Sequence, residues 1–210
     1  MNADMVSADQ GQASWAMLRN FVRPRPTVER CELCSAALAP EHTHLLDPMA
    51  RKLLCACDAC AILFEHQGAR HYRRVRRDVR FLPDFRLTDA QWNALSIPVG
   101  LAFFLHSTAA ERVVAIYPSP GGPTESLLDL GDWSEIVEDN PALESMEPAT
   151  QALLVNRIDP SRECYLAPID ECYRLVGLLR THWQGFSGGT EVWQEISRFF
   201  GELKRRAERA

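Results

Sequence analysis

Read as a pattern of apolar and polar positions, the chain changes period several times. Residues 1–13 are small and polar without periodicity and read as a disordered tail. Trp15, Leu18, Phe21 and Val22 then recur at helical spacing until Arg23-Pro24-Arg25-Pro26, where proline removes a donor and restricts the residue before it. A short amphipathic helix and an extended linker are expected, either packed on the rest of the protein or serving as a docking arm. Beyond it, Thr43 to Asp47 and Lys52 to Cys55 read as two short strands joined by a turn at Pro48-Met49-Ala50-Arg51, and Asp58 to His66 as the first turns of a helix.

The longer second part mixes both periods. Thr88-Asp-Ala-Gln91 is a capping box opening a short helix with Trp92 and Leu95 on its buried side. Ile97 to His106 and Arg112 to Tyr117 carry the Val, Ile and Phe of strands, and Pro118-Ser-Pro-Gly-Gly-Pro123 reads as a loop. Although glycine-rich, this loop lacks the Gly-Lys-Ser/Thr ending that cradles phosphate. Glu125 to Leu130 returns as a strand, Asp132-Trp-Ser-Glu135 caps another short helix, and Ala152 to Ile158 with Glu163 to Leu166 close the sheet. Two helices end the chain. Ile169, Cys172, Tyr173, Val176, Leu179 and Trp183 mark the first, with acids in its first turn and Arg180 and His182 in its last, as the helix dipole prefers. Thr190 as N-cap, followed by Val192, Trp193, Ile196, Phe199, Phe200 and Leu203, marks the second. The fold class expected is α+β: a mixed antiparallel sheet and helices ending in a helix pair, preceded by a small cysteine-rich module.

Charge sharpens that division. The 210 residues carry a net charge of −5. Residues 1–80 hold 12 basic and 9 acidic side chains (+3) and residues 81–210 hold 11 and 19 (−8). A boundary near residue 70 follows, giving a tail and helix over 1–27, a metal module over 28–69 and an α+β body over 70–210. Nothing repeats at a fixed period, which excludes a solenoid. No apolar run reaches the length of a membrane span, and the first residues lack a secretory pattern, so a cytoplasmic protein is expected. Thiols stay reduced there, so the seven cysteines, five of them between Cys31 and Cys60, point to metal ligation before disulfides.

Cys31-Glu-Leu-Cys34 and Cys57-Asp-Ala-Cys60 have the spacing that turns both sulfurs of a pair toward one tetrahedral ion. Residues 35–56, twenty-two in all, separate the pairs, room enough for a hairpin. Cys31, Cys34, Cys57 and Cys60 are the expected ligands of a structural zinc; the same set is compatible with rubredoxin-like iron, or with an iron-sulfur cluster that also uses Cys55. Cys55 otherwise reads as a small buried side chain. His42 and His44, two apart on a strand, face one side as ligands, as a nuclease base or as ordinary polar residues. The order of knuckle, hairpin and helix resembles a treble-clef zinc finger and also the HNH nuclease scaffold, for which His66 is the downstream candidate. Arg70 to Arg80 holds six arginines in eleven positions, which invites a phosphate-binding reading. With 21 arginines against two lysines, however, arginine is simply this chain's basic residue, and the acidic body offers partners. His106, His182 and Cys164 are scattered, and no nucleophile with its base can be defended from spacing.

The succession CELC, HTHLLD, LCACDAC, YRRVRRDVRFLPDFRLTDAQW, IPVGLAFF, YPSPGGPTESLLDL and YLAPIDECYRLVGLLRTHWQGFSGGTEVW resembles an uncharacterised actinobacterial family from roughly residue 15 onward. Its members are encoded within gene clusters for high-affinity, hydrogen-scavenging nickel-iron hydrogenases. The resemblance implies an accessory, maturation or assembly factor whose protein partner is the hydrogenase or its electron-transfer subunits, and it carries over no catalytic residues. A non-enzymatic role is therefore expected, with the partner surface on the acidic side of the body or in the Tyr117 to Thr124 loop. The alternatives are an iron electron carrier and a nuclease or nucleic-acid binder.

Overall fold

The computed structural model describes residues 28–65, 72–95, 97–126, 133–158, 160, 162–185 and 187–209. The expected N-terminal tail and helix, His66, Arg70, Asp132 and the stretch 127–130 lie outside them. Ten strands and five helices are present among the described residues, so the protein is mixed α+β. Strands β1 (Thr43–Asp47) and β2 (Lys52–Ala56) form an antiparallel hairpin, with β3 (Arg73–Arg74) on the free side of β1 and helix α1 (Asp58–Phe64) after it. A seven-stranded sheet has the order β10-β4-β9-β8-β5-β6-β7. Its strands are β4 (Arg80–Phe81), β5 (Leu101–Ser107), β6 (Arg112–Ser119), β7 (Gly122–Glu125), β8 (Gln151–Asn156), β9 (Glu163–Pro168) and β10 (Glu208–Arg209). Every pairing is antiparallel except that of β10 with β4. Helices α2 (Asp89–Ala94), α3 (Trp133–Asp139), α4 (Ile169–His182) and α5 (Gly189–Arg206) complete the chain.

Period two along the central strands builds the core on both sheet faces. Leu101, Phe103, Leu105, Leu154, Tyr165 and Ala167 point to one side, where they meet Ile169, Cys172, Leu175, Val176 and Leu179 of α4 and Val192, Ile196, Phe199, Phe200 and Leu203 of α5. Ala102, Phe104, Leu153, Val155, Cys164 and Leu166 point to the other, against Leu82, Leu95, Ile136 and Leu143. Because both faces are covered, β5, β8 and β9 read as nearly continuous apolar runs.

The hairpin joins this body through one face. Leu45, Leu54 and Ala56 pack with Cys31, Cys60 and Ala61 in a small core of their own. Leu46 belongs to the core beneath α4, with Leu53 packed against it. In the register Leu46 faces Leu53 and His44 faces Cys55. Alternation thus puts His44 and Cys55 on the side of Leu46 and Leu53, away from the small cysteine-rich core. Arg51, at the hairpin tip with φ 50°, reaches Glu125 at 2.8 Å and Ser107 at 2.9 Å.

Several boundaries differ from the sequence expectations for identifiable reasons. The stretch 118–123 is mostly strand: β6 runs to Ser119, turns at Pro120-Gly121, and β7 starts at Gly122. Pro118 and Pro123 face each other in the register, and a pair without N–H groups to exchange fits the non-hydrogen-bonded positions of an edge strand. The return strand ends at Glu125, where it was expected to begin. Helix α5 starts at Gly189 behind Gly188, whose φ of 88° suits glycine, so Thr190 lies inside the first turn instead of capping it. A β-carbon at Gly188 would stand 2.9 Å from Val192 Cγ1.

Candidate metal centre

The four expected ligands come together at the junction of knuckle, hairpin and helix. Ser35 N–H donates to Cys31 O at 2.8 Å and Cys31 N–H donates to Ala36 O at 2.8 Å, folding Cys31–Cys34 into a tight turn. Ser35, at φ 63°, takes the left-handed conformation that lets the chain leave it. Glu32 ties this knuckle to β2: its N–H donates to Cys55 O at 2.9 Å, and its carboxylate accepts from Cys55 N–H at 3.1 Å and Lys52 Nζ at 2.8 Å. Cys57 is the N-cap of α1 and its sulfur accepts from Cys60 N–H at 3.5 Å. Thr43 Oγ1 donates to Asp58 Oδ1 at 2.8 Å, holding α1 against β1.

In this frame the Sγ atoms of Cys31, Cys34, Cys57 and Cys60 all lie within 4.8 Å of one another, with Cys34 and Cys57 at 3.7 Å. A regular tetrahedron with metal–sulfur bonds of about 2.3 Å has edges of about 3.8 Å, so the sulfurs already sit at the vertices such an ion needs. Cys31 and Cys60 are buried, Cys57 is half-buried and Cys34 is exposed. Burial opposes ionisation of Cys31, but the N–H groups of Cys57, Cys34 and Leu33 and the Cys34 thiol bring it down to about 6. Burial, reinforced by the other three sulfurs, pushes Cys60 up to about 12. One thiolate is thus favoured and a second resisted, the electrostatics of a set that a divalent cation would neutralise.

Cys55 is not in this cluster. It lies with His42 and His44, one ligand atom from each falling within 4.8 Å of the others. His44 Nδ1 is 2.8 Å from Asp170 Oδ2 at the start of α4, and His42 Nδ1 is 3.0 Å from Ala39 O and 3.5 Å from Glu29 Oε2. The rings meet edge to face with centroids 4.8 Å apart. Burial, with the Glu29 and Glu32 carboxylates and Cys31, raises the Cys55 thiol above its ordinary value. Two-residue spacing was the signal for the histidines sharing a side; nothing local marked Asp170, 126 positions from His44.

The remaining candidates fall elsewhere. Arg73, Arg74, Arg76 and Arg77 are exposed and line a groove with Thr43, Glu65, Asp78 and Glu147. Arg76 is paired with Glu147 at 2.5 Å and Asp78 at 3.6 Å, which offsets part of the basic patch. Cys172 is fully buried in the main core, and burial pushes Cys164 up to about 12, so both are protonated packing groups. No helix among the described residues is long and apolar enough to cross a membrane.

Fold and site together define a mixed α+β protein with a four-cysteine cluster able to hold a metal ion. The chain belongs to the family of unknown function DUF5947, which it matches over residues 30–207. Comparison with curated proteins and with solved structures returns no match.

Proposed function

We propose that this chain is a metal-binding accessory protein whose four-thiolate zinc centre is structural and whose α+β body is held ready for a protein partner. The observation that carries the reading is the convergence of Cys31, Cys34, Cys57 and Cys60 at tetrahedral spacing. All four positions are filled by protein sulfur, the closed arrangement typical of structural zinc, and no vertex is left for substrate. Zinc there fixes the knuckle and α1 to the hairpin, and the hairpin inserts Leu46 into the core under α4. The partner we favour is a nickel-iron hydrogenase or its electron-transfer subunits, a choice supported by the sequence resemblance alone. A second reading, an iron electron carrier, draws on the same thiolates and on the exposed edge at Cys34, where an electron could enter.

Elemental analysis beside a visible spectrum of the purified, tag-free protein decides between them. A colourless protein that loses one zinc equivalent on Cys57→Ser supports the proposal; iron with thiolate absorption supports the carrier, and unchanged zinc in Cys57→Ser removes this ligand set. For the partner, deletion in the native host should impair hydrogen uptake while sparing growth without hydrogen, and the protein should co-purify with the hydrogenase. Intact hydrogen uptake together with salt-sensitive nucleic-acid binding through Arg73, Arg74, Arg76 and Arg77 would reverse the assignment.

A further inference from the structure

Pleat alternation gives the β1–β2 hairpin two chemically distinct faces. One carries Leu45, Leu54 and Ala56 toward the four cysteines; the other carries His44, Cys55, Leu46 and Leu53 toward the body. On this second face the imidazoles are arranged in a specific way. His42 Nδ1 lies against Ala39 O and His44 Nδ1 against the Asp170 carboxylate, both of which only accept. Each Nδ1 therefore carries the hydrogen, and the lone pair of each neutral ring is on Nε2. Oxygen acceptors on the far nitrogen are how proteins orient metal-binding histidines and raise their basicity. The His42 side chain is only 7% exposed, and its Nε2 is buried with no hydrogen-bond partner among the described residues. A buried lone pair without a donor is a defect in a protein interior unless something outside the chain fills it.

We infer that His42, His44 and Cys55 form a second metal site, separate from the four-cysteine centre, that takes a borderline transition ion such as zinc, cobalt, nickel or copper. Two imidazoles and a thiolate exclude magnesium and calcium, which want oxygen, and one ring nitrogen of each histidine lies with the Cys55 sulfur inside a span of 4.8 Å. The thiolate neutralises one charge of a divalent ion, and Asp170 and Glu29 stand behind the two rings to balance the other. Three protein ligands leave a coordination position open. The His44 side chain is 27% exposed, so that position is reachable from solvent, and water or an exchangeable ligand completes the sphere. The hairpin thus carries a closed four-sulfur centre on one face and an open mixed centre on the other.

The test is a cobalt titration of tag-free apoprotein, followed by passage over a chelating resin and cobalt analysis, with the spectrum recorded throughout. Circular dichroism of the α+β body reports that each variant is folded, and the sulfur charge-transfer intensity reports cobalt held by thiolate. The wild type should retain two equivalents, His42→Ala and Cys55→Ser one, and Asp170→Asn should weaken the second equivalent by roughly 10–100-fold without touching the first. A single equivalent in the wild type, or two retained in either ligand variant, overturns the site. Loss of both metals from a folded Cys55→Ser protein also overturns it, because Cys55 would then belong to the four-cysteine centre. Loss on Cys57→Ser reads the first centre and loss on Cys55→Ser reads this one, so each can fail alone.

Discussion

Cys172 and Cys31 are equally hidden from solvent, yet their surroundings differ. Cys31 receives backbone N–H groups and has three sulfurs for neighbours, whereas Cys172 lies on α4 among Leu175, Val176 and Ile169, where burial holds its pKa well above the ordinary thiol value. The first setting stabilises a thiolate and the second abolishes it. Cys172→Ser should accordingly leave metal content unchanged but cost about 1–3 kcal/mol in denaturant unfolding, because a polar hydroxyl replaces a thiol in a fully buried apolar setting. Metal loss in that variant would place Cys172 among the ligands. The paired spacing made the four clustered cysteines readable from sequence, and the helical period placed Cys172 in the core. Cys55 was not assignable that way: its side depends on whether strand or helix geometry holds at that residue, and β2 continues through Ala56.

Elements whose signals are local were legible. The capping box is formed as expected, with Thr88 N–H donating to Gln91 Oε1 at 2.9 Å and Gln91 N–H to Thr88 Oγ1 at 3.1 Å. Helix α2 has no buried side chain of its own and depends on that cap more than α4 or α5 do. Thr88→Ala should therefore lower stability by about 1 kcal/mol and Thr88→Ser should restore most of it, as measured by the urea midpoint; a silent Thr88→Ala would mean that Leu95 and Trp92 hold the helix alone. Elements made by distant partners were not legible. Strands β3, β4 and β10 are two residues long, and the arginine run supplies two of them because β1 and β9 provide edges to pair with. Glycine and proline masked the β6–β7 turn for a similar reason: its strands are defined by pairing, not by composition. The α4 contact to His44 has no trace in local sequence at all.

At the scale of the whole molecule, the cysteine-rich module and the body are linked through few side chains. Leu46 and Leu53 pass from the hairpin into the main core, and Arg51 and His44 add polar ties to Glu125 and Asp170. Apart from Leu46 and Leu53, the sheet's two cores are built from residues of the body, with α4 and α5 covering one face and α2 and α3 the other. The cluster around Leu45, by contrast, has few apolar members and two of them belong to the four-cysteine cluster, so a metal bound as proposed would contribute directly to folding free energy. Removing metal with a chelator under reducing conditions should strip amide protection from Cys31 to Phe64 while β5, β8 and β9 remain protected in hydrogen exchange. The thermal midpoint of the remainder should fall, since loosening the hairpin uncovers the core where Leu46 and Leu53 covered it. If protection were lost simultaneously across the seven-stranded sheet, the module and body would be one cooperative unit, and the proposed metal centre would be holding the entire fold instead of one hairpin.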